Sequence, residues 1–240
     1  MEVFKPEPLV IDGHPHYTLT SYDPVAVEVN VHDLTEEDVE QAMAFSIAQK
    51  GGGPERMNDD AWICYTFKGV HGAAELRNTI RNELETANQE MVENQLAAAC
   101  ASELAKRLEQ QVIADQIAHF RRDIEQTFEA TLAEQGVTLD LVLAQTGASR
   151  AEVDAMFDEQ ARQTAAQEAA VSAWARKMGI TVSDDELEQM MGGPAPADQK
   201  ESLRDMAINS KAMRRIMDEC SVTYNHDGLN QSDHPHLKLV

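Results

Sequence analysis

The chain has 240 residues and a mass of 26.6 kDa, and 42% of its residues are apolar, which suffices for at least one hydrophobic core. Lys and Arg number 20 against 42 Asp and Glu, so the formal net charge is −22 and the isoelectric point is about 4.6. Nucleic acids and anionic membranes attract proteins mainly through clustered basic side chains, so we expect neither as a partner.

The cysteines and the N-terminal segment indicate a reducing environment. The three cysteines are far apart and form no Cys-x-x-Cys pair, a pattern that supports neither a disulfide framework nor a zinc ribbon. Residues 1–6 contain no basic stretch followed by an apolar one, and the apolar stretch at residues 61–67 is far short of the ~20 residues that span a bilayer. We therefore predict a soluble, cytoplasmic protein.

The composition predicts a mainly α-helical fold with a short N-terminal β segment. Aromatic residues make up only 5% of the chain, whereas the strong helix formers Ala, Glu, Gln, Leu and Met dominate its middle. Between residues 17 and 31, apolar side chains alternate with polar or small ones, which predicts one or two strands interrupted near Asp23 and Pro24.

A helix follows this β segment and ends at a run of glycines. Thr35 precedes three acidic residues and is a typical helix N-cap, and apolar residues at helical spacing extend the prediction to Gln49. Gly51–Gly53 and Pro54 cannot continue the helix, because glycine loses backbone entropy and proline has no amide donor. We predict a flexible joint over residues 51–57.

Helices are expected over most of the remaining chain. Because no Gly or Pro occurs in residues 73–135, a long helical run is predicted there, with a turn near Gln110 and an end at Gly136. A short helix over residues 138–145 should follow and end at Gly147.

Two capping boxes of the form Ser-x-x-Glu begin further helices, one at Ser149 and one at Ser183. A loop over residues 192–196 separates the second of these from a last amphipathic helix that extends to about Cys220. Residues 223–240 have the composition of a disordered tail.

Two His-Pro-His sequences are the only candidate metal ligands, and both lie near the termini. Extended, proline-containing segments give the imidazoles no fixed geometry, and no nearby cysteine completes a site. An enzyme or metal carrier that uses these histidines is the weakest of three hypotheses. The residues concerned are His14, His16, His234 and His236.

No motif indicates catalysis or nucleotide binding. Gly51–Gly53 is not followed by Lys and Ser or Thr, so it is not a phosphate-binding loop. The acidic pairs at Asp59 and Asp184 begin predicted helices, where carboxylates serve as caps. No Ser, Cys or Thr lies in a recognisable nucleophile motif, so we expect neither an enzyme nor a cofactor.

The methionines carry more information. There are 11 of them, and several cluster late in the chain between Met190 and Met217. Flexible thioethers suit a surface that repacks around many partners, although each methionine could instead fill a helical core.

Several segments resemble the C-terminal chaperone domain of bacterial trigger factor and occur in the same order. They are residues 74–84, residues 136–147, the capping box that begins at Ser149, and residues 178–187. Residues 29–39 resemble the linker that precedes the prolyl isomerase domain of that family. The resemblance covers about residues 17–222.

The chain also departs from the family pattern. The ribosome-docking signature Gly-Phe-Arg-x-Gly-x-x-Pro is absent, and only residues 50–57 occupy the position of the isomerase domain. The resemblance therefore implies a protein that does not dock on the ribosome and has no prolyl isomerase activity. A single domain would cover residues 1–222, with a β segment and linker helix at 17–50 and a helical body with arms at 73–222.

The resemblance implies an elongated helical body whose two arms form a cradle for unfolded or nascent polypeptides, without ATP. We expect an ATP-independent holdase whose net charge keeps an apolar working surface in solution. The residues expected to line the cradle are Phe128, Leu141, Met156, Phe157, Met190, Met191, Met206 and Met213.

An interaction or assembly protein is the alternative function. Such a protein would keep the helical scaffold but bind one dedicated partner, or form a homodimer that buries the same apolar stripes. In a homodimer, the segment Val25–Val31 could pair edge to edge.

Overall fold

The computed structural model describes residues 5–11 and 14–226, and these residues are mainly helical, as the sequence predicts. The chain divides into two compact units. Unit 1 takes its described residues from 1–27 and 97–221, and unit 2 takes its own from 28–96 and 222–240.

The helices are α1 (Glu36–Gln49), α2 (Asp60–Thr66), α3 (Ala73–Lys106), α4 (Ala114–Glu134), α5 (Leu139–Thr146), α6 (Arg150–Lys177), α7 (Asp184–Met191) and α8 (Lys200–Glu219). The strands are β1 (Leu9–Ile11), β2 (His14–His16), β3 (Ala26–Asn30) and β4 (Ser221–Asn225). Among the described residues, no helix is long and apolar enough to cross a membrane.

Local capping signals locate the helix ends, as predicted. Thr35, Ser149 and Ser183 each form a capping box with the acidic residue three positions later. Gly136 and Gly147 adopt the left-handed conformation that ends α4 and α5, with φ of 67° and 72°. The turn predicted near Gln110 lies between the end of α3 and the start of α4.

Unit 2 has a core where α1, α2 and the first part of α3 meet. Its buried side chains belong to one cluster, which comprises Val39, Met43, Ile47, Ile63, Ala73, Leu76 and Ile80. The carboxylate of Asp60 accepts a hydrogen bond from the Ala73 amide at 2.8 Å, so α2 caps the start of α3. The carboxylate of Asp59 accepts a hydrogen bond from the Trp62 amide at 3.0 Å and caps α2, as the sequence predicts.

The glycine run is a packed turn, and the predicted flexible joint over residues 51–57 is wrong. The amides of Gly51 and Gly52 donate to the carbonyls of Ala48 and Ile47 and thereby end α1. A Cβ atom added to Gly52 would lie only 2.6 Å from the Trp62 ring. The glycines therefore serve close packing and a positive φ, which composition alone does not distinguish from flexibility.

In unit 1, β1 and β2 form an antiparallel hairpin that the sequence does not predict. Leu9 lies opposite His16, and Ile11 lies opposite His14. The expected strand before Pro24 is reduced to a single bridge between Leu19 and Leu108. Short strands of this kind depend on partners elsewhere in the chain, so a local pattern does not reveal them.

The strands β3 and β4 form the second two-stranded sheet. The Ser221 amide donates to the Val25 carbonyl at 2.8 Å, and the Val31 amide donates to the Asn225 carbonyl at 2.9 Å, so the two strands run parallel. Burial alternates along β3, which confirms the predicted strand pattern there. The prediction of disorder from residue 223 is wrong as far as Asn225, because the stability of β4 comes from pairing with a distant strand.

The rest of the predicted tail lies in residues 227–240, outside the described residues. The second His-Pro-His sequence, with His234 and His236, lies there too.

The helices α4 and α6 of unit 1 form an antiparallel pair. Phe128 and Phe157 meet edge to face with ring centroids 5.3 Å apart. Near this aromatic pair, the Arg121 guanidinium binds the carboxylates of Asp158 at 2.6 Å and Glu125 at 2.9 Å. Small residues line the buried face of α6 and let neighbouring helices approach: Ala161, Ala165, Ala169, Ala170, Ala173 and Ala175.

Candidate functional site

Five of the eight predicted binding residues have large, exposed apolar side chains. Their exposed fractions lie between 46% and 57%, which is high for residues of this type. They lie on consecutive helices of unit 1, with one on α5, one on α6, two on α7 and one on α8. The residues are Leu141, Met156, Met190, Met191 and Met206.

The other three predicted residues are less accessible. Phe157 is only 2% exposed and packs on Phe128, so its assignment to a binding surface is wrong. Its helical spacing is that of a core residue, and the sequence alone does not show that α4 covers it. Phe128 and Met213 are half-buried and keep only part of their side chains accessible.

The helix α7 is held against α8, and this attachment leaves its methionines outside. Leu187 is buried with Val182 and Ala207 in a small apolar cluster. Met190 and Met191 follow Leu187 by three and four positions, and both remain exposed beyond this cluster. The contact therefore positions α7 without using its methionines.

Charged groups reinforce the contact between α7 and α8. The Glu186 carboxylate accepts hydrogen bonds from the Ser183 amide at 2.9 Å and from Lys211 Nζ at 2.9 Å. These bonds, with the Ser183 amide as the larger effect, lower the pKa of Glu186 to about 2. Asp184 pairs with Lys200 at 2.7 Å and also with Arg204, and these bonds lower its pKa.

A groove of about 400 Å³ lies between α7 and α8. Its walls combine the apolar side chains of Val182 and Met190 with the polar groups of Gln189 and Ser210 and the cations of Lys211 and Arg214, beside Glu186. A second groove of about 490 Å³ lies beside the loop between α6 and α7 and includes Met178, Ile180 and the carboxylate of Asp218. The two grooves share Lys211 and Arg214.

The cationic side chains around these grooves differ in whether they already form ion pairs with the protein. Lys211 binds Glu186, while Arg215 binds Glu219 at 2.8 Å and lies over the Trp174 ring at 5.7 Å. Arg214 is exposed and has neither a hydrogen bond nor an ion pair with any residue in the described ranges. Its guanidinium is therefore available to a ligand.

The hairpin carries a further apolar surface that the sequence does not predict. Leu9, Val10 and Ile11 of β1 are exposed by 75%, 64% and 46%. Three consecutive apolar residues between Pro8 and Asp12 are the signal for a strand in the sequence, but the alternation typical of a half-buried strand is absent. Three exposed aromatic side chains belong to unit 2, namely Phe45, Tyr65 and Tyr224.

No metal centre is assembled by the part of the chain that the structure describes, since no three His, Cys, Asp or Glu side chains come together suitably. The first His-Pro-His sequence forms β2, and His14 Nε2 lies 3.9 Å from a carboxylate oxygen of Glu201. One histidine and one carboxylate at that distance do not make a metal site.

Comparison with known proteins identifies the helical region. Residues 73–218, more than half of the chain, match the family model described as the bacterial trigger factor protein (TF) C-terminus. The chain belongs to this trigger factor family. The matched segment begins with α3 and contains α4 to α7 and nearly all of α8, so it includes the exposed methionines and both grooves.

One solved structure that resembles this trigger factor family member is that of the hypothetical Mycoplasma protein MPN555. The two share 9% sequence identity with a TM-score of 0.45, over 89% of this chain and 93% of the Mycoplasma chain. No curated protein matches the sequence.

Proposed function

We propose that this protein is an ATP-independent chaperone that holds unfolded or partly folded polypeptides on the exposed apolar side chains of α5 to α8. The observation that carries the proposal is the position of the exposed methionines. All the methionines with strongly exposed side chains among the described residues lie on α6, α7 and α8. They are Met156, Met190, Met191 and Met206.

These methionines suit weak binding of many sequences. A thioether side chain has three rotatable bonds and adapts to irregular apolar partners. Complete burial of one such side chain contributes about 1.5–3 kcal/mol, so a client that partly covers a few of them binds reversibly. The net charge of −22 limits association between copies of the protein while the apolar side chains remain accessible.

The proposal also includes the cellular setting. We place the protein in the cytoplasm, where its three free cysteines stay reduced, and away from the ribosome, since the docking signature of the family is absent from the sequence. In this proposal the protein neither hydrolyses ATP nor isomerises prolyl bonds.

Aggregation of a chemically unfolded client tests the proposal. Light scattering is recorded after dilution of the client, with and without stoichiometric protein and in the absence of nucleotide. We expect suppression by the wild type and a clear loss of it when Met156, Met190, Met191 and Met206 are all replaced by Ser.

The matched control removes exposed apolar side chains from unit 2 instead. Phe45→Ser combined with Tyr65→Ser should retain suppression, because these side chains lie outside the proposed surface. Circular dichroism confirms that each variant keeps its helical content. Failure of the wild type to suppress aggregation at any ratio would overturn the proposal.

A dedicated assembly protein remains the second candidate, and the hairpin favours it. In the described residues, β1 pairs only with β2, so one edge of β1 and three exposed apolar side chains are open to another strand. Sedimentation of the pure protein distinguishes the two functions. A tight dimer that Val10→Lys dissociates would support assembly, whereas a monomer with the same sedimentation in both forms would support the holdase.

A further inference from the structure

We propose that the two grooves beside α8 select client segments in which an Asp or Glu side chain lies next to apolar residues, with Arg214 as the anion-binding group. This inference rests on the proposed holdase function and names the class of segment that its surface prefers. The net charge of −22 would by itself favour basic clients.

The unoccupied guanidinium of Arg214 is the first observation. Around the grooves, Lys211 and Arg215 already bind carboxylates of the protein itself. Arg214 lies between them, lines both grooves and forms no such bond within the described residues. A carboxylate that enters either groove can therefore pair with Arg214 without breaking an existing ion pair.

The geometry of a guanidinium adds to this preference. Its planar fork of N–H donors binds a carboxylate through two parallel hydrogen bonds, an arrangement that neutral or basic side chains do not provide. A client Lys or Arg would instead place a further cation beside Arg214 and Lys211.

The apolar walls supply the second part of the recognised segment. Met190 is 55% exposed and Val182 forms a buried wall in one groove, while Met178 and Ile180 contribute to the other. Each groove has the volume of a small ligand pocket, so it can accept individual side chains. A segment with an acidic residue flanked by apolar ones matches the Arg214 cation and the apolar walls, although Glu186 and Asp218 also place one carboxylate of the protein in each groove.

The overall negative charge weakens this preference but does not reverse it. At physiological ionic strength the Debye length is about 8 Å, so most of the acidic residues of the chain act on a bound client only through screened interactions. Arg214 acts in direct contact, where screening is small. An exposed charge pair contributes about 0.2–1 kcal/mol, which corresponds to at most roughly a fivefold preference.

Fluorescence anisotropy with three labelled peptides tests the inference. The peptides share one apolar sequence and differ at a single central position, which is Glu, Gln or Lys. We expect the Glu peptide to bind the wild type about two- to fivefold more tightly than the Gln peptide, and the Lys peptide to bind most weakly. The Glu preference should shrink as the salt concentration rises.

Two variants test whether the preference for the Glu peptide depends on Arg214. Arg214→Gln should remove the difference between the Glu and Gln peptides, and Arg214→Glu should make the Lys peptide the tightest. Arg122→Glu changes the net charge by the same amount at another exposed arginine of unit 1 without a partner in the described ranges, and it should leave the Glu preference in place. A similar loss of preference in Arg122→Glu would overturn the assignment.

The outcomes separate this inference from the proposed function. Equal binding of all three peptides by the wild type, or tightest binding of the Lys peptide, would overturn the inference while the holdase function stands. Binding of none of the peptides, together with no suppression of aggregation, would overturn the proposed function and this inference with it.

Discussion

Phe157 of α6 packs edge to face on Phe128 of α4, with ring planes inclined by 66°. Helical periodicity alone predicts a binding role for both rings, whereas the contact shows that one ring has a core role. Phe157 belongs to the core that joins the two helices, whereas Phe128 keeps part of its ring accessible. The contribution of Phe157 to stability and the contribution of Phe128 to client binding can therefore be measured separately.

Removal of the Phe157 ring should destabilise unit 1 strongly. Replacement of a buried Phe by Ala leaves a cavity and costs about 3–5 kcal/mol in the free energy of unfolding. Phe128→Ala should cost less, because its ring is only half-buried. Urea unfolding followed by circular dichroism measures both values. Equal losses would contradict the distinction between a core ring and a partly accessible one.

The Arg121 charge network should make stability depend on salt. Hydrogen bonding to Asp158, followed by the attraction of Glu125 and Asp154, raises the pKa of Arg121 and links α4 to α6. We expect Arg121→Gln to lower the thermal midpoint, with a larger effect at low than at high salt. The neighbouring Arg122, which has no ion pair in the described ranges, gives a matched control, and Arg122→Gln should change the midpoint little.

Two adjacent glycines of the packed turn should respond differently to substitution, because one is limited by space and the other by its positive φ. In Gly52→Ala, the new methyl would collide with the Trp62 ring at 2.6 Å and the Ile47 side chain at 2.8 Å. Overpacking of this kind costs about 1–3 kcal/mol, so unit 2 should lose stability. In Gly51→Ala the methyl meets no atom within 4 Å, and only the positive φ of 82° is strained.

Chemical denaturation of both variants distinguishes a packed turn from a flexible joint. We expect Gly52→Ala to be the less stable variant. If both substitutions were neutral, the turn would behave as the flexible joint that the sequence suggested.

Features that depend on neighbours in the sequence could be predicted, and those that depend on distant partners could not. The capping boxes at Ser149 and Ser183 and the left-handed glycine at Gly136 are local, and the structure confirms them. The strand β4 and the burial of Phe157 require a partner far away in the chain. The lack of an ion pair at Arg214 also depends in part on a distant contact, because Lys211 pairs with Glu186 of another helix, whereas the pair between Arg215 and Glu219 is a local i,i+4 contact within α8.

Tyr17 should make unit 1 sensitive to alkali. Its side chain is 4% exposed, and its hydroxyl donates to Gln116 and accepts a hydrogen bond from the Ile113 amide at 3.2 Å. Burial raises the pKa of Tyr17 above 10.0, although the Ile113 amide acts in the opposite direction. The folded state therefore favours the neutral phenol, and stability should fall as the pH rises above 10.0 toward the raised pKa.

Tyr17→Phe removes this alkaline loss and also the hydrogen bonds. At neutral pH the variant should be less stable by about 1 kcal/mol, because two polar partners lose their bond. Above pH 10.0 the difference from the wild type should narrow. Thermal unfolding across this pH range measures it, and a constant difference would contradict the role of Tyr17.

The contact between α7 and α8 should weaken at low pH, because it depends on the ionised carboxylate of Glu186. The Ser183 amide and Lys211 lower the pKa of Glu186 from 4.5 to about 2, so the folded state favours the carboxylate. This contribution is present above pH 4.5 and is lost as the pH falls toward 2, because protonation removes the negative charge that attracts Lys211 and weakens the capping box. The wild type should therefore lose part of its stability across this interval.

Glu186→Gln should lower stability at neutral pH and flatten the pH dependence between 4.5 and 2. The matched control is Glu188→Gln, which removes an exposed carboxylate of the same helix that has no side-chain bond in the described part of the chain. That variant should keep the acid-dependent loss of the wild type. Because Glu186 lines the groove beside Met190, peptide binding measured in the same buffers should weaken only where α7 detaches. An unchanged acid profile in Glu186→Gln would show that α7 is held mainly by Leu187 and its apolar neighbours.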